Sequence, residues 1–285
     1  MLTLPVAEIP NVRLNLSNRA ENVLLVRQAL SGLSEAIKLD AVELNDVSTA
    51  VSEACNNVVM HAYNGEEGPL EVEVYALGNE LEVIVRDRGR GMRTPAQHGD
   101  DVGGIGLPVI RALSRSMEIS EVTGGGTEVR MRFAITKTTA PEPAAGSDGH
   151  RAASSYPLAM PDATASLIVG PPRLARAVLP RVLTALAARA YFSTDRISDT
   201  QLLADALVAH SENSLDGDRL SVQVTATPRD LHLRLGPLQQ GRAAAVLEDA
   251  AQDGLGTLLE RLSNRHEISA HGSAEVLDLH LAERG

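Results

Sequence analysis

Apolar residues recur every three or four positions at Val23, Val26, Leu30 and Leu33, which predicts an amphipathic helix over Glu21–Ala36. The same spacing returns at Leu44, Val47, Val51, Ala54, Val58 and Met60 and predicts a second helix over Leu44–Ala62, with Asn45 or Asp46 as its cap. The pattern then switches to strict alternation. "LEVEVYAL" from Leu70 and "ELEVIVRD" from Glu80 read as two strands joined through Gly78-Asn79 as a hairpin. A third helix is predicted over "GLPVIRALSRSM" from Gly106, opened by a glycine turn and an early proline. "MEISEV" and "TEVRMRFAI" then read as strands around Gly124-Gly125-Gly126, and Val12–Leu16 as a first strand. Helix, helix, strand, strand, helix, strand, strand is the order of an α+β fold: a two-layer sandwich with a largely antiparallel sheet and helices on one face.

The chain has 285 residues, more than one average domain. Lys137–Thr164 is rich in Ala, Pro, Ser and Gly without helical or strand period, which predicts a flexible linker between domains at 1–136 and 165–285. The two halves resemble each other. "GIGLPVIRALSRSMEIS" from Gly104 can be laid on "GLGTLLERLSNRHEIS" from Gly254 with one residue deleted, and the segment from Asn45 lies on that from Ile197 in apolar pattern. A tandem repeat with a diverged second copy is the expectation.

Composition narrows the function classes. The hydrophobic share of 44% and charged share of 22% fit folded protein. A net charge of -11, with Lys38 and Lys137 the only lysines and no Trp, argues against nucleic acid as partner, because phosphate contacts need clustered cations and bases need stacking platforms. The single cysteine, Cys55, cannot form an internal disulfide, and no closely spaced Cys and His set suggests zinc. No apolar run approaches the ~20 residues that span a bilayer, and the first residues lack the regions of a secretion signal, so a cytoplasmic location is expected.

The chemistry concentrates in "SEACNNVVMHAYNG", Ser52–Gly65. Spacings of four place Glu53, Asn57 and His61 on one helical face with Asn56 beside it. Burying one carboxamide without a partner costs about 1–3 kcal/mol, so such a row calls for a ligand, a metal or a hydrogen-bond network. An Asn oxygen suits Mg²⁺, and a Glu one turn earlier suits proton abstraction from a hydroxyl. The plain alternative is that these side chains cap loops and face solvent. In "VRDRGRGM", Asp87 at a strand end can accept a hydrogen bond from a ligand amino group while Gly89 and Gly91 let the backbone approach it; a tight turn with a solvated Asp is the alternative. Gly104 and Gly106 precede a helix, where free N–H groups favour phosphate, and Gly126-Thr127 enters the last strand.

The order of these four stretches resembles the nucleotide-binding boxes of the GHKL ATPase superfamily, the Bergerat ATP-binding fold, over residues 10 to 136. "SEACNNVVMHAY" and the short loop before Gly104 are similar to the anti-sigma-factor serine kinases typified by RsbW and SpoIIAB. That resemblance implies ATP and Mg²⁺ as cofactors, with Asn57 on the metal, Asn56 supporting it and Glu53 as general base for a partner's serine hydroxyl. Asp87 would read adenine, Gly89 and Gly91 shape the base pocket, Gly104 and Gly106 cradle phosphates, and Thr127 close the adenine end. It implies a sigma factor or an anti-anti-sigma protein as partner. The family's partner-binding arginine on the first helix has no counterpart in register, Arg27 being only nearby, and Arg90 and Arg93 are the cations available for a γ-phosphate.

In the second copy Ala209 stands where Asn57 stands in the first, and Leu235–Gln240 holds no carboxylate, so a pseudo-ATPase domain is expected there. It would act as a built-in pseudo-dimer partner, a homodimer being the other arrangement. Three functions fit: a serine/threonine protein kinase controlling transcription through partner switching, an ATP-binding switch or interaction scaffold without phosphoryl transfer, or a histidine-kinase catalytic domain, which the absence of a dimerisation hairpin disfavours.

Overall fold

Val12, Leu14 and Leu16 are buried and alternate with more open residues, and this period-2 stripe builds β1 (Val12–Ser17) of a computed structural model that describes residues 9–91, 105–136, 164–252 and 262–283. The chain divides into two units, Met1–Pro141 and Glu142–Gly285.

In the first unit, helix α1 (Asn22–Ile37) buries Val23, Val26, Leu30 and Leu33, as its spacing predicts. Helix α2 (Ala41–Asn57) begins earlier than the apolar period suggests. Its cap is Asp40, not Asn45 or Asp46: the Asp40 carboxylate accepts from Val42 N and Glu43 N, each at 2.8 Å, and Glu43 accepts from Asp40 N at 3.0 Å. That reciprocal box satisfies orphan N–H groups that an apolar residue cannot serve. Strands β2 (Pro69–Leu77) and β3 (Glu80–Asp87) form the expected hairpin, with Gly78 at φ +67 in its turn. Helix α3 (Gly106–Leu113) is shorter than "GLPVIRALSRSM", because Ser114 turns to extended geometry and Ser116 already pairs with Arg132. Strands β4 (Ser116–Glu121) and β5 (Thr127–Ala134) complete an antiparallel sheet ordered β4-β5-β3-β2-β1.

Leu14, Val72, Val85 and Val129 lie side by side across four strands, one apolar row of the inner sheet face. The other face carries charge. Glu82 accepts from Arg130 at 2.6 Å and Arg132 at 2.7 Å; Glu73 accepts from Arg13 at 2.6 Å and Arg86 at 2.6 Å; Glu128 bridges Arg86 and Arg130. Glu82 and Glu73 are only 1% and 4% exposed, so each would be costly without its guanidinium partners. Burial opposes the charged form of Glu73, but Arg13, Arg86 and a hydrogen bond from Tyr75 outweigh it and hold its carboxyl below the usual range. Glu128 is lowered in the same balance, by Arg86 and Arg130 against burial.

Folded carboxyls titrating below their unfolded value add stability above about pH 4.3 and lose it as pH falls through the folded value. Thermal unfolding followed from pH 7 to pH 3 is therefore expected to show a steep loss on the acid side, and Glu73→Gln is expected to have a shallower slope there. An equal slope in the variant would contradict this reading of the network.

The second unit is built from β6 (Ala165–Val169), a 3₁₀ turn at Pro172–Leu174, α4 (Ala175–Arg189), α5 (Thr194–Ser211), β7 (Leu220–Thr227), β8 (Asp230–Gln239), α6 (Arg242–Gln252), β9 (Arg265–His271) and β10 (Ala274–Ala282). Its antiparallel sheet is ordered β9-β10-β8-β7-β6, strand for strand the order of the first unit. Each unit also ties the end of its last strand to the start of its second helix. In the first, Glu43 accepts from the Thr136 backbone N–H at 2.7 Å and from the Thr136 hydroxyl; in the second, Glu283 accepts from Ser193 N at 2.6 Å and Ser193 Oγ at 2.8 Å. The glycine turn Gly254–Gly256 and nearly all of Lys137–Thr164 lie outside the described residues.

Candidate functional site

The site forms where α2 ends. The helix is capped firmly at Asp40, but from Val58 to Ala62 it widens into a π-helical turn. Single π turns recur at functional sites because they break the regular side-chain register. Glu53 and Asn57 therefore share the last α-helical face, as their spacing predicts, while His61 does not continue it and is exposed within the π turn. Ser52 and Cys55 point the other way and are buried. Burial pushes the Cys55 thiol up to about 12, which keeps it an uncharged core group.

Glu53, Asn56 and Asn57 are each half-buried. Among the described residues none of their side chains has a hydrogen bond or ion pair. Helix α3 packs against α2 with Gly106 facing them: a Cβ on Gly106 would lie 3.0 Å from Glu53 Oε2 and 3.5 Å from Asn57 Oδ1. A carboxylate and a carboxamide oxygen thus stand beside the first residue of a helix, where N–H groups have no intrahelical acceptor. Gly104 and the preceding loop, Arg93–Val102, lie outside the described residues.

The second half of the site lies at the end of β3. Leu81, Val83 and Val85 fill the inner face, and Asp87 takes the next inward position with 4% exposure. Its Oδ1 accepts from Gly89 N at 2.8 Å, and among the described residues Oδ2 accepts no hydrogen bond. Thr127 opens β5 one position beyond the Arg86–Glu128 pair and is also buried, which puts it on the same face as Asp87. The backbones here approach closely. A Cβ on Gly89 would lie 2.1 Å from Ala62 O, and one on Gly126 2.1 Å from Asp87 O, so neither position has room for a side chain. Gly91, at φ +73, faces Gly126 O and Glu121.

Sequence reasoning missed the contacts that stitch these halves together. Arg90 N donates to Ala62 O at 3.1 Å, the Arg90 guanidinium donates to the Asn64 amide oxygen, and Arg88 N donates to the Tyr63 hydroxyl at 2.8 Å. One of only four tyrosines, six residues after Asn57 and five before Gly68, was the available signal.

The donor set suits Mg²⁺ carried by a polyphosphate: an uncommitted carboxamide oxygen for a hard cation that keeps most of its waters, and a helix start for the anion. The unfilled Oδ2 of a buried aspartate suits an exocyclic amino group. MgATP fits the residues present.

Residues 16–133 match the family described as Histidine kinase-like ATPase domain. A histidine kinase-like ATPase domain is thus the class that the first unit's fold and site define. The chain is 31% identical over 129 residues to Serine-protein kinase RsbW of Bacillus pumilus, covering 40% of this chain and 80% of that protein. It is 25% identical over 129 residues to Anti-sigma F factor of Thermoanaerobacter sp., covering 42% and 90%. The chain belongs to this family of anti-sigma factors and RsbW-type serine-protein kinases. The RsbU and RsbW domains of a Mycobacterium tuberculosis protein superpose with a TM-score of 0.35 at 23% identity, over 44% of this chain and 32% of that one.

Proposed function

We propose that the first unit binds MgATP and phosphorylates a serine or threonine of a partner protein, and that the chain acts as an anti-sigma regulator whose partners are a sigma factor and an anti-anti-sigma protein. The observation that carries this reading is the pair of uncommitted side chains, Glu53 and Asn57, facing Gly106 at the start of α3. Bound MgATP supplies the transferable γ-phosphoryl group. Asn57 would hold the metal, with Asn56 beside it, and Glu53 would accept the proton of the partner's hydroxyl. Asp87 Oδ2 would accept a hydrogen bond from the adenine amino group, Gly89 and Gly91 would keep the base pocket open, Thr127 would close its end, and Gly104 and Gly106 would serve the phosphates. The carboxylate–carboxamide spacing separates proton transfer from metal binding, so the two can be tested apart.

Glu53→Gln keeps size and polarity but cannot take the proton. It is expected to bind MgATP within about twofold of the parent, while transfer of labelled phosphate to the partner falls by about 10²- to 10⁴-fold, the usual yield of general base catalysis. Equal transfer by the two proteins would remove Glu53 from the reaction.

A second reading, an ATP-controlled binding switch or scaffold without transfer, has one observation behind it: Arg90, a cation within reach of the site's loops, is already engaged by Asn64. Its signature is MgATP binding with no labelled partner in the parent chain.

For the second unit the proposal is a body that takes no nucleotide. β8 carries Leu231, Leu233 and Leu235 inward, then Pro237 and Leu238 where the first unit has its aspartate loop. That strand end is closed by backbone pairing, Asp216 N to Pro237 O at 3.0 Å and Gln239 N to Ser214 O at 2.8 Å, with Leu215 and Leu238 both buried.

A further inference from the structure

Strand β3 ends at Asp87, and the residue after it has left the ladder. Its N–H is not left to solvent. Arg88 N donates to Tyr63 Oη at 2.8 Å, and the same hydroxyl donates to Pro69 O at 2.6 Å, at the first residue of β2. Leu70, the next residue of β2, is the register partner of Asp87. One phenol oxygen therefore ties the two strand ends together one position beyond the Leu70–Asp87 pair. The ring is seated as firmly as the hydroxyl: a Cβ on Gly68 would fall 2.1 Å from Tyr63 Cε1, so the tyrosine occupies the space that any side chain at 68 would need. Burial, reinforced by the nearby Asp87 and Glu71 carboxylates, raises the Tyr63 pKa despite the Arg88 N–H, so the group stays a phenol that donates and accepts at once.

The consequence falls on Asp87. Gly89 N occupies Oδ1, which leaves Oδ2 as the atom that can meet a base amino group. Its direction depends on the backbone of residues 87 to 89, and Arg88 N sits between the carboxylate and the N–H that orients it. We propose that Tyr63 is a positioning residue for base selectivity: by holding Arg88 N–H it fixes the direction of Asp87 Oδ2, and so the preference for a purine bearing a 6-amino group. This inference rests on the nucleotide reading above. It predicts a loss confined to that amino group, because among the described residues the Tyr63 hydroxyl bonds Arg88 N and Pro69 O and no atom of the Glu53–Asn57 face.

The test uses the full chain and Tyr63→Phe, which keeps the ring on Gly68 and removes only the hydroxyl. ATP and inosine triphosphate, which lacks the amino group, are titrated into each protein with Mg²⁺, and exchange of the Arg88 amide is followed by NMR without ligand. Tyr75→Phe is the control, since its hydroxyl bonds Glu73 at 3.0 Å on the outer sheet face. The expected result is a fivefold to tenfold drop in ATP affinity in Tyr63→Phe, about the worth of one hydrogen bond. Inosine triphosphate affinity stays unchanged, Arg88 exchange becomes faster, and Tyr75→Phe matches the parent. Retained ATP preference in Tyr63→Phe, or equal losses for both nucleotides, overturns the inference and leaves the nucleotide reading standing. A parent chain that binds neither nucleotide overturns both.

Discussion

Asn57→Ala is expected to lose the Mg²⁺-dependent part of ATP binding, by about 100-fold in dissociation constant. The side chain is half-buried, has no hydrogen-bond partner among the described residues, and presents its Oδ1 to Gly106 across the α2–α3 contact. Removing it leaves the position facing Gly106 without its carboxamide oxygen, and even groups that only support a metal ligand are commonly worth 10- to 100-fold. Titration with and without chelator separates the metal from the nucleotide: parent and variant should converge when Mg²⁺ is removed. His61→Ala, in the exposed part of the π turn, is expected to stay within about twofold of the parent. An Asn57→Ala chain with the parent's Mg²⁺ dependence would show that the carboxamide faces solvent without function.

The second large effect is structural. Gly126 adopts φ +105, and a Cβ there would lie 2.1 Å from Asp87 O and 2.7 Å from Arg88 Cα. Both neighbours are backbone, so the collision cannot be relieved by a rotamer change. Gly126→Ala is expected to cost about 2–4 kcal/mol, the sum of a strained dihedral and an overpacked contact, and to displace the loop carrying Asp87. Gly124→Ala is the matched control, with φ +97 and open space around the added methyl, and should cost only about 1–2 kcal/mol. Denaturant unfolding of the three proteins checks the difference; equal midpoints for the two variants would mean that the β3–β5 crossing relaxes freely.

How far the sequence could be read follows the same physics. Period-3.6 apolar spacing marked the buried face of α1, and period-2 alternation marked β2, β3 and β5 almost to the residue, because one face of each is apolar. The Glu53–Asn57 face was legible as two polar residues one turn apart on a helix whose other side is core. The start of α2 was misplaced because its first turn is held by Asp40 and Glu43 rather than by apolar burial. The π turn carries no pattern signal of its own, since it shifts side chains without changing which ones are apolar. Glu73 and Glu82 read as solvent-facing alternation yet are buried, because four arginines from neighbouring strands fold over them, and cross-strand pairing is invisible along the chain. Tyr63 was missed for the same reason: its partner Arg88 meets it only once the β2–β3 hairpin has formed.

Calorimetric titration of MgATP into the intact chain, beside Asp87→Asn, tests the central claim most directly. The account predicts one site per chain, because among the described residues the Glu53–Asn57 pair and the buried aspartate belong to the first unit alone, and it predicts that Asp87→Asn removes the binding heat. Two sites, or a single site indifferent to Asp87→Asn, would contradict it.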